Sequence, residues 1–504
     1  MAQRLLSFPL LRTPRVRRWA TVASLLLVLP ASASLAGPLL APGDLRLRHD
    51  LELLNDSGVI DVPLTAWPLS VRDIRNALAE TDAQGLDDGQ KWALDRLRGA
   101  TEGLAGPQAS VRLSGAVEPR AIRGFEYTPR AEGEAEAALE WAGERVFGRL
   151  GLTLAADPFD GETLRLDGTY AGVHIGNWML TAGWQERWYG PGNDSSLLLS
   201  TNARPTPGIM LQRNLSTPFA SRWLAWLGPW TLTTFMSLLD DEREIDDALL
   251  FGLRGSFRPL PGLEIGLSRA AQWCGSGRPC DLATFADLLV GNDNRGVNVS
   301  LDDEPGNQLG GVDVRWVLPR AIPAAVYLQW VGEDGREGPS PLGSWLRQAG
   351  VEAWGSTGRY QHRTHFEVAD TLCREGGLGF SDEKPDCAYG HSIYRTGYRY
   401  RGRAIGHAVD SDGLAYSMGT TWIRRDGTTW NVSLRHIELN RAGSEFDGHS
   451  LTATPRELTD VLLTHSREIP IGRIRAGIGY RRMSGSISGG DDSDVEAFVS
   501  WSSR

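Results

Sequence analysis

Beyond its first 36 residues, this 504-residue chain lacks any run of about 18 or more apolar residues, the length that a transmembrane helix needs. Its most apolar segment runs from Trp223 to Leu239, but Gly228 and Pro229 divide it and three threonines dilute it. That composition predicts a turn followed by a strand. The sequence therefore argues against a helical membrane protein.

The first 36 residues have the composition of a secretory signal peptide. Five arginines and no acid occupy residues 1–19, an apolar run extends from Ala20 to Leu29, and a small-x-small cleavage signal follows. We expect cleavage after Ala33, with Ala36 as the alternative site. A membrane anchor is the competing interpretation, but the run is too short to span a bilayer and ends at Pro30.

A positive charge balance is also absent. The formal net charge is −10, and removing the five arginines of the signal peptide gives −15 (−10 − 5). Because nucleic-acid-binding proteins present basic surfaces, an acidic chain argues against nucleic acid as a partner.

Recognisable catalytic and metal-binding motifs are missing as well. The chain has no G-x-S-x-G, no H-E-x-x-H and no P-loop, and its acidic runs at 302–306 and 489–494 lack EF-hand spacing. Its three His-Ser pairs are His391-Ser392, His449-Ser450 and His465-Ser466. Neighbouring residues on a strand point to opposite faces, so none of these pairs brings a base to a nucleophile. The sequence predicts no enzyme, no metal and no cofactor.

The four cysteines form two local pairs. Cys274 and Cys280 frame one short loop, and Cys373 and Cys387 frame a longer polar one. An even cysteine count after a secretory signal is typical of disulfides, so we predict one bridge across each loop. Zinc is the alternative, but the spacings are not those of zinc ligands and no His pair accompanies them.

The hydrophobic period changes along the chain. Residues 44–104 have helical spacing, with Leu47, Leu51 and Leu54 on one face and Ser70 placed as an N-cap. After Gly106 the period becomes two, and roughly 18 segments of about ten residues alternate apolar and polar positions. We find no fixed internal repeat, which argues against a propeller or solenoid.

This pattern predicts a mainly β protein, a large antiparallel transmembrane β-barrel of about 18 strands with a small N-terminal helical module. Full charges on the polar face, often arginine, and Trp and Tyr near strand ends favour a membrane barrel over a secreted soluble β protein. The predicted divisions are a signal peptide (1–36), a helical module (37–106) and an outer-membrane barrel with long loops (107–504). The predicted location is the outer membrane of a Gram-negative bacterium, with its lipid as one partner.

The stretch from Arg187 to Asn214 combines aromatic rings with turn-forming residues. We expect strands at 178–189, 195–200 and 209–213, with turns between them at 190–192 and 202–205. Aromatic faces suit sugar C–H groups, and fixed polar groups suit hydroxyls. The candidate glycan-binding residues here are Trp184, Trp188, Tyr189, Asn193, Asp194, Asn202, Arg204 and Arg213. Turn geometry alone is the competing explanation for the Gly, Pro and Asn residues.

A second candidate region is "YRTGYRYRGRAIGH", residues 394–407. On a strand, Arg399, Arg401 and Arg403 share one face, whereas Tyr398 and Tyr400 share the other. We expect the arginines to point into the lumen or above the membrane and the tyrosines to face lipid. Such a row would bind carboxylates or phosphates of an acidic glycan. A ladder of lumen ion pairs is the alternative.

Three blocks resemble the Wzi family of outer-membrane capsule-assembly proteins. They are "LLNDSGVIDVPLTAWPLS", "WYGPG…SSLLLSTNARP" and "YRYRGRAIGH", in matching order between about residues 50 and 410. The resemblance implies a β-barrel, a helical region at its periplasmic end and binding of capsular polysaccharide at the cell surface. We expect a non-enzymatic barrel that binds capsular or exopolysaccharide, with polysaccharide export machinery as a further partner. A sugar- or anion-selective channel is the alternative, and a barrel hydrolase is a third hypothesis.

Overall fold

The computed structural model describes most of the chain after the predicted signal peptide, which lies outside the described residues. The described ranges are 37–102, 107–240, 243–290, 306–319, 322–334, 342–375, 381–387, 389–443, 449–485 and 491–503.

Within these ranges, antiparallel strands close into a barrel. The closed sheet has 20 strands, of which Leu164–Arg165 and Glu383–Lys384 have two residues each, leaving 18 long strands (20 − 2). They are β1 (Gln108–Val117), β2 (Ala131–Ala142), β3 (Val146–Pro158), β4 (Tyr170–Ile175), β5 (Trp178–Trp184), β6 (Pro207–Arg213), β7 (Trp230–Leu238), β8 (Leu249–Leu260), β9 (Leu263–Trp273), β10 (Gly306–Val317), β11 (Ala324–Asp334), β12 (Leu342–Thr357), β13 (Tyr360–Glu375), β14 (Leu414–Arg424), β15 (Thr429–Leu439), β16 (Arg456–Ile469), β17 (Gly472–Ser484) and β18 (Asp492–Ser502). β18 pairs with β1, which closes the sheet and confirms the predicted barrel.

The period-two pattern decides which side chains face out. On β17, Ile474 and Ile478 are exposed on the outer wall. The neighbouring Arg473 and Arg475 point inward, where they donate to Asp44 Oδ2 and to the carbonyl oxygen of Tyr127 (2.9 Å). The wall is therefore apolar outside and charged inside, as a membrane barrel requires.

The two ends of the barrel differ. The connections at 143–145, 176–177, 261–262, 358–359 and 470–471 all lie at one end, which we call the short-turn end. The opposite, long-loop end carries the longer segments, including 159–169, 185–206 and 389–413.

Three N-terminal helices fill the lumen at the short-turn end. They are α1 (Leu45–Asp56), α2 (Val71–Ala79) and α3 (Asp88–Thr101). Asp44 accepts bonds from the first turn of α1, and the predicted cap Ser70 accepts one from the backbone of Asp73 at 3.3 Å. A fourth helix, α4 (Leu282–Val290), follows β9. Among the described residues, no helix combines the length and hydropathy that crossing a bilayer demands.

A buried ion-pair network, which we call the latch, joins α1 to the barrel wall. Asp56 of α1 lies 2.6 Å from Arg315 of β10 and 3.0 Å from Arg363 of β13. Arg363 also lies 3.1 Å from Glu352 of β12 and 3.5 Å from Glu52 of α1. Because these charges are buried, each depends on its partners for compensation.

Two segments fill the lumen at the long-loop end. We call residues 185–206 the first inserted segment and residues 389–413 the second. Trp188 and Tyr189 pair with Trp67 and Ala66, so the first inserted segment is tied to the N-terminal region. The predicted strand at 178–189 therefore ends at Trp184. The predicted strand at 195–200 is wrong, since this stretch is a buried loop with a single bridge from Tyr189 to Leu199.

The predicted strand of alternating arginines and tyrosines is also wrong. Only Arg399–Tyr400 and Arg403–Ala404 pair, and they form a small hairpin that is not part of the barrel wall. Tyr398 and Tyr400 do not face lipid, because both are buried in the apolar core of the lumen, where Tyr398 stacks on Tyr389 at 5.9 Å. Arg399 is buried too and forms an ion pair with Asp410 at 2.7 Å. Arg399 therefore agrees with the alternative interpretation, in which the arginines form ion pairs inside the lumen.

Both predicted disulfides are confirmed, Cys274–Cys280 and Cys373–Cys387. Their surroundings differ, because Cys280 is exposed whereas Cys373 and Cys387 are buried in the lumen core. The first bridge precedes α4, and the second holds the start of the long connection that leads to the second inserted segment.

We expect a mild reductant to open the Cys274–Cys280 bridge of the folded protein and to leave Cys373–Cys387 intact, because thiol exchange requires access to a sulfur. Maleimide labelling followed by peptide mass spectrometry would measure this difference. The barrel should keep its heat-modifiable mobility throughout. Labelling of Cys373 before unfolding would contradict the buried position of the second bridge.

Candidate functional site

At the long-loop end, predicted arginines from two distant parts of the sequence meet one loop. The loop is the 159–169 connection between β3 and β4, and the arginines come from the end of the first inserted segment and from the small hairpin. We call this group the loop cluster, and its members are Phe159, Asp160, Glu162, Asp167, Arg204, Arg401 and Arg403.

Arg204 is the centre of the loop cluster. Its guanidinium group donates to both carboxylate oxygens of Asp167 at 2.9 and 2.8 Å. It also donates to Asp160 and Glu162, each at 2.7 Å. Bidentate pairing of this kind fixes geometry as well as charge. The side chain of Arg204 is nearly buried, so its role is to hold the loop in place.

The hairpin reaches the same loop through its turn. Arg401 and Gly402 have φ values of +48° and +70°, which is the backbone of a two-residue type I′ turn. Arg401 is half-buried and forms an ion pair with Glu162. A Cβ atom on Gly402 would lie 3.3 Å from the ring of Phe159, so the turn rests against that ring.

Phe159 is the exposed aromatic surface of the loop cluster. It is 65% exposed, and the guanidinium carbon of Arg403 lies 4.3 Å from the centre of its ring. Arg403 donates to the carbonyl oxygen of Ala121 at 2.9 Å. Among the described residues, no carboxylate forms an ion pair with Arg403, although Asp160 and Asp410 lie near enough to act on its pKa.

Hydrogen bonds to backbone carbonyls fix the two segments that carry the arginines of the loop cluster. Arg130 donates to the carbonyl oxygens of Thr201 and Asn202 at 2.8 and 2.9 Å. Asn202 donates its amide to the carbonyl oxygen of Ala404 at 3.0 Å. Asn202 therefore joins the first inserted segment to the hairpin, and it is buried.

Burial and charge act in opposite directions on the pKa of Asp160. Burial alone raises this pKa, but the hydrogen bond and charge of Arg204 outweigh it and hold the pKa below its ordinary value. Burial, with nearby Arg130 as a further cause, lowers the pKa of Arg403 to about 10. Arg403 is therefore cationic at neutral pH and Asp160 is anionic.

The structure places the remaining predicted residues elsewhere. Trp188 and Tyr189 are buried in the lumen, out of reach of a polymer. The backbone N–H of Asn193 donates to Glu367 at 2.9 Å, and Asp194 accepts from Arg435 at 2.8 Å. Both line a cavity of about 60 Å³ in the lumen, together with Arg123, Arg363 and Arg435.

Two predicted residues lie on the outer wall. Trp184 is the last residue of β5, at the long-loop end. It lies four residues after the exposed Leu180, so it points outward as well. Arg213 ends β6 at the short-turn end and lies 3.6 Å from the ring centre of Trp230. Arg213 therefore belongs to the opposite end of the barrel from the loop cluster and is not part of that site.

Sequence reasoning missed Phe159, Asp160, Glu162 and Asp167. They lie in "PFDGETLRLDG", where acids and glycines are typical of an ordinary solvated loop. Only the ion pairs with Arg204 and Arg401 distinguish this loop from others. Among the described residues, no group of three or more His, Cys, Asp or Glu side chains is arranged to hold a metal ion.

Comparison with known proteins identifies relatives of the same architecture. A family model described as capsule assembly protein Wzi matches residues 105–490. A Klebsiella pneumoniae protein, described as an uncharacterized 55.8 kDa protein in the cps region, is 30% identical over 437 residues, which cover 84% of this chain and 82% of the relative.

A solved structure is similar over nearly its whole length. It is described as Wzi, an outer membrane protein involved in group 1 capsule assembly in Escherichia coli and a carbohydrate-binding β-barrel. The TM-score is 0.80 at 26% identity, covering 93% of this chain and 99% of that one. The family match over most of the sequence and the agreement of the fold lead to one assignment: the chain belongs to the Wzi family of capsule assembly proteins.

Proposed function

We propose that this protein binds an acidic capsular or exopolysaccharide through the loop cluster and holds it at the cell surface without cleaving it. The protein is an outer-membrane barrel whose long loops face the cell surface, so the short-turn end faces the periplasm. The observation that carries the proposal is the exposed ring of Phe159 beside the guanidinium group of Arg403, which has no ion-pair partner among the described residues.

The chemistry of these two side chains suits a charged sugar. The flat face of Phe159 offers van der Waals contact to the C–H groups of a sugar ring, and Arg403 offers donors to a carboxylate or phosphate substituent. Arg401, half-buried at the turn, is paired with Glu162 and holds the turn against the loop. Of the three arginines in the loop cluster, Arg403 forms no ion pair with a described carboxylate, so it is the group that an acidic polymer would meet.

The positions of the His465 and Ser466 side chains support binding without hydrolysis. His465 lies on the outer wall with its ring 3.9 Å from that of Trp430, whereas Ser466 points into the lumen and accepts from Arg473 at 2.7 Å. The side chains of this pair are therefore separated by the wall. Export machinery in the same membrane would supply the polymer, and it belongs to this proposal as a partner.

Deletion of the gene tests the proposal. We expect polysaccharide to move from the cell-bound to the released fraction, and the wild-type gene to restore retention. A Phe159→Ala/Arg403→Gln variant should reach the outer membrane in equal amount and fail to restore it. Unchanged distribution after deletion would contradict a role in attachment, and shortened chains that depend on this protein would contradict binding without cleavage.

The filled lumen distinguishes this proposal from a sugar or anion channel. The N-terminal helices occupy one end, and aromatic side chains of both inserted segments pack together at the other. We expect purified protein in planar bilayers to show no steady ion conductance, because the described helices and inserted segments fill the lumen from both ends. A stable conductance that saturates with sugar would favour the channel.

A further inference from the structure

One connection at the short-turn end is long and carries exposed aromatic residues. It joins β6 to β7 through residues 214–229 and contains a 3-10 turn at Ala225–Leu227. Trp223, Leu224 and Trp226 are 74%, 41% and 61% exposed. Exposed large apolar side chains in one short segment indicate a surface that meets something other than water.

The segment lies against the outer wall of the barrel. Trp226 contacts Phe257 of β8 edge-on, with ring centres 6.2 Å apart. Even-numbered residues of β8 such as Arg254 and Ser256 point into the lumen and are buried. Phe257, an odd-numbered residue of the same strand, therefore points outward. The exposed patch therefore continues the apolar outer wall that faces lipid.

A second stack fixes the base of the segment to the wall. Trp230, the first residue of β7, stacks on Phe219 with ring centres 4.3 Å apart and planes 9° from parallel. Its ring is also contacted by Arg213 at 3.6 Å. Gly228 has φ +65°, and a Cβ atom there would lie 2.0 Å from the carbonyl oxygen of Arg258, so the backbone approaches β8 too closely for any other residue.

The charge of the segment suits phospholipid. Residues 214–230 contain no acid and one base, Arg222, whose guanidinium carbon lies 4.9 Å from the ring centre of Trp223. Tryptophan is enriched at the headgroup level of membranes, and an arginine beside it reaches lipid phosphates. A water-facing surface would expose polar or charged side chains in place of Trp223, Leu224 and Trp226.

We propose that residues 221–227 insert into the periplasmic leaflet of the outer membrane and bind phospholipid at the boundary between headgroups and acyl chains. Trp223, Leu224 and Trp226 contact the glycerol and upper acyl region, and Arg222 contacts the phosphates. The backbone N–H of Ser216 donates to Asp73 of α2 at 2.8 Å, so the inserted turn is also joined to the helices in the lumen. This proposal is independent of the glycan site.

Depth-dependent fluorescence quenching tests this placement on the full-length mature protein. The protein is reconstituted in phosphatidylcholine brominated near the top or near the middle of the acyl chain. The contribution of the two tryptophans is the difference between wild type and Trp223→Phe/Trp226→Phe, a variant that keeps apolar rings. We expect shallow bromines to quench this difference about twofold more than deep ones, as for an interfacial residue.

A matched control comes from the same end of the barrel. Trp92 of α3 is half-buried in the helical module, so the difference between wild type and Trp92→Phe should show no quenching by either lipid. Heat-modifiable mobility verifies that both variants fold. Quenching of Trp223 and Trp226 by aqueous iodide but by neither lipid would overturn the proposal and indicate a periplasmic protein partner. Stronger quenching by the deep bromines would overturn the interfacial position.

Discussion

Replacing Arg363 with Met is expected to release the N-terminal helices from the lumen while the barrel stays folded. Arg363 is buried and lies within 3.5 Å of Glu52, Asp56 and Glu352. Removing one member of a buried ion-pair network leaves uncompensated charge and costs about 3–5 kcal/mol. The cost falls on the docking of α1, because the latch joins α1 to the wall, whereas the sheet itself is closed by hydrogen bonds that do not involve Arg363's side chain.

Limited trypsin digestion measures this release. Arg72 and Arg75 are exposed on α2 and become better substrates when the helices leave the lumen. An opening free energy lowered by about 3 kcal/mol corresponds to cleavage about 100-fold faster, at 1.4 kcal/mol per tenfold. Arg467→Met, at an exposed position of β16, is the control and should cleave like wild type. Equal cleavage rates for Arg363→Met and wild type would show that the latch does not hold the helices.

Replacing Arg204 with Gln is expected to weaken polysaccharide binding and retention without affecting barrel assembly. A glutamine cannot replace the ion pairs with all three carboxylates: Asp167 loses its partner, and Asp160 and Glu162 are left with Arg165 and Arg401 alone. The 159–169 loop would lose its fixed position, and Phe159 would move away from Arg403. We expect binding of purified polysaccharide to weaken at least about tenfold, since one charge-assisted hydrogen bond alone contributes about 1.5–3 kcal/mol.

Arg213→Gln provides the matched control, because the sequence singles out both arginines and the structure places them at opposite ends of the barrel. Its binding of polysaccharide should equal that of wild type. If Arg204→Gln binds normally, the loop cluster is not the glycan site. If both variants bind weakly, the loss reflects general damage to the barrel.

The barrel wall could be predicted because it repeats one simple physical rule. Every strand faces lipid on one side and the filled, polar lumen on the other, so apolar and charged residues alternate as they do on β17. The disulfides could be predicted because each pair closes a short loop. Ser70 could be predicted as a cap because a serine immediately before a helical apolar pattern satisfies free backbone N–H groups.

The inserted segments could not be predicted, because this lumen contains an apolar core of its own. An apolar residue can therefore face either the lipid or the lumen, and alternation no longer tells the two apart. Tyr398 and Tyr400 look like lipid-facing residues when only two environments are considered, yet they pack in a third one, inside the barrel. Arg401 and Gly402 interrupt the alternation with a turn, but Arg-Gly is a weaker turn signal than Asn-Gly. The loop cluster depends on Asp160 and Arg204 meeting in space, which local sequence does not reveal.

Backbone contacts inside the lumen connect the two ends of this barrel. Ala66 pairs with Tyr189, Tyr189 bridges Leu199, and the next residue, Ser200, donates its N–H to the carbonyl oxygen of Ile405 at 2.9 Å. Ile405 adjoins the hairpin that carries Arg401, so an unbroken series of backbone contacts crosses the thickness of the membrane. Tension on a polymer bound as proposed would therefore be borne by the N-terminal helices as well as by the wall, and the load would be distributed through the whole depth of the barrel.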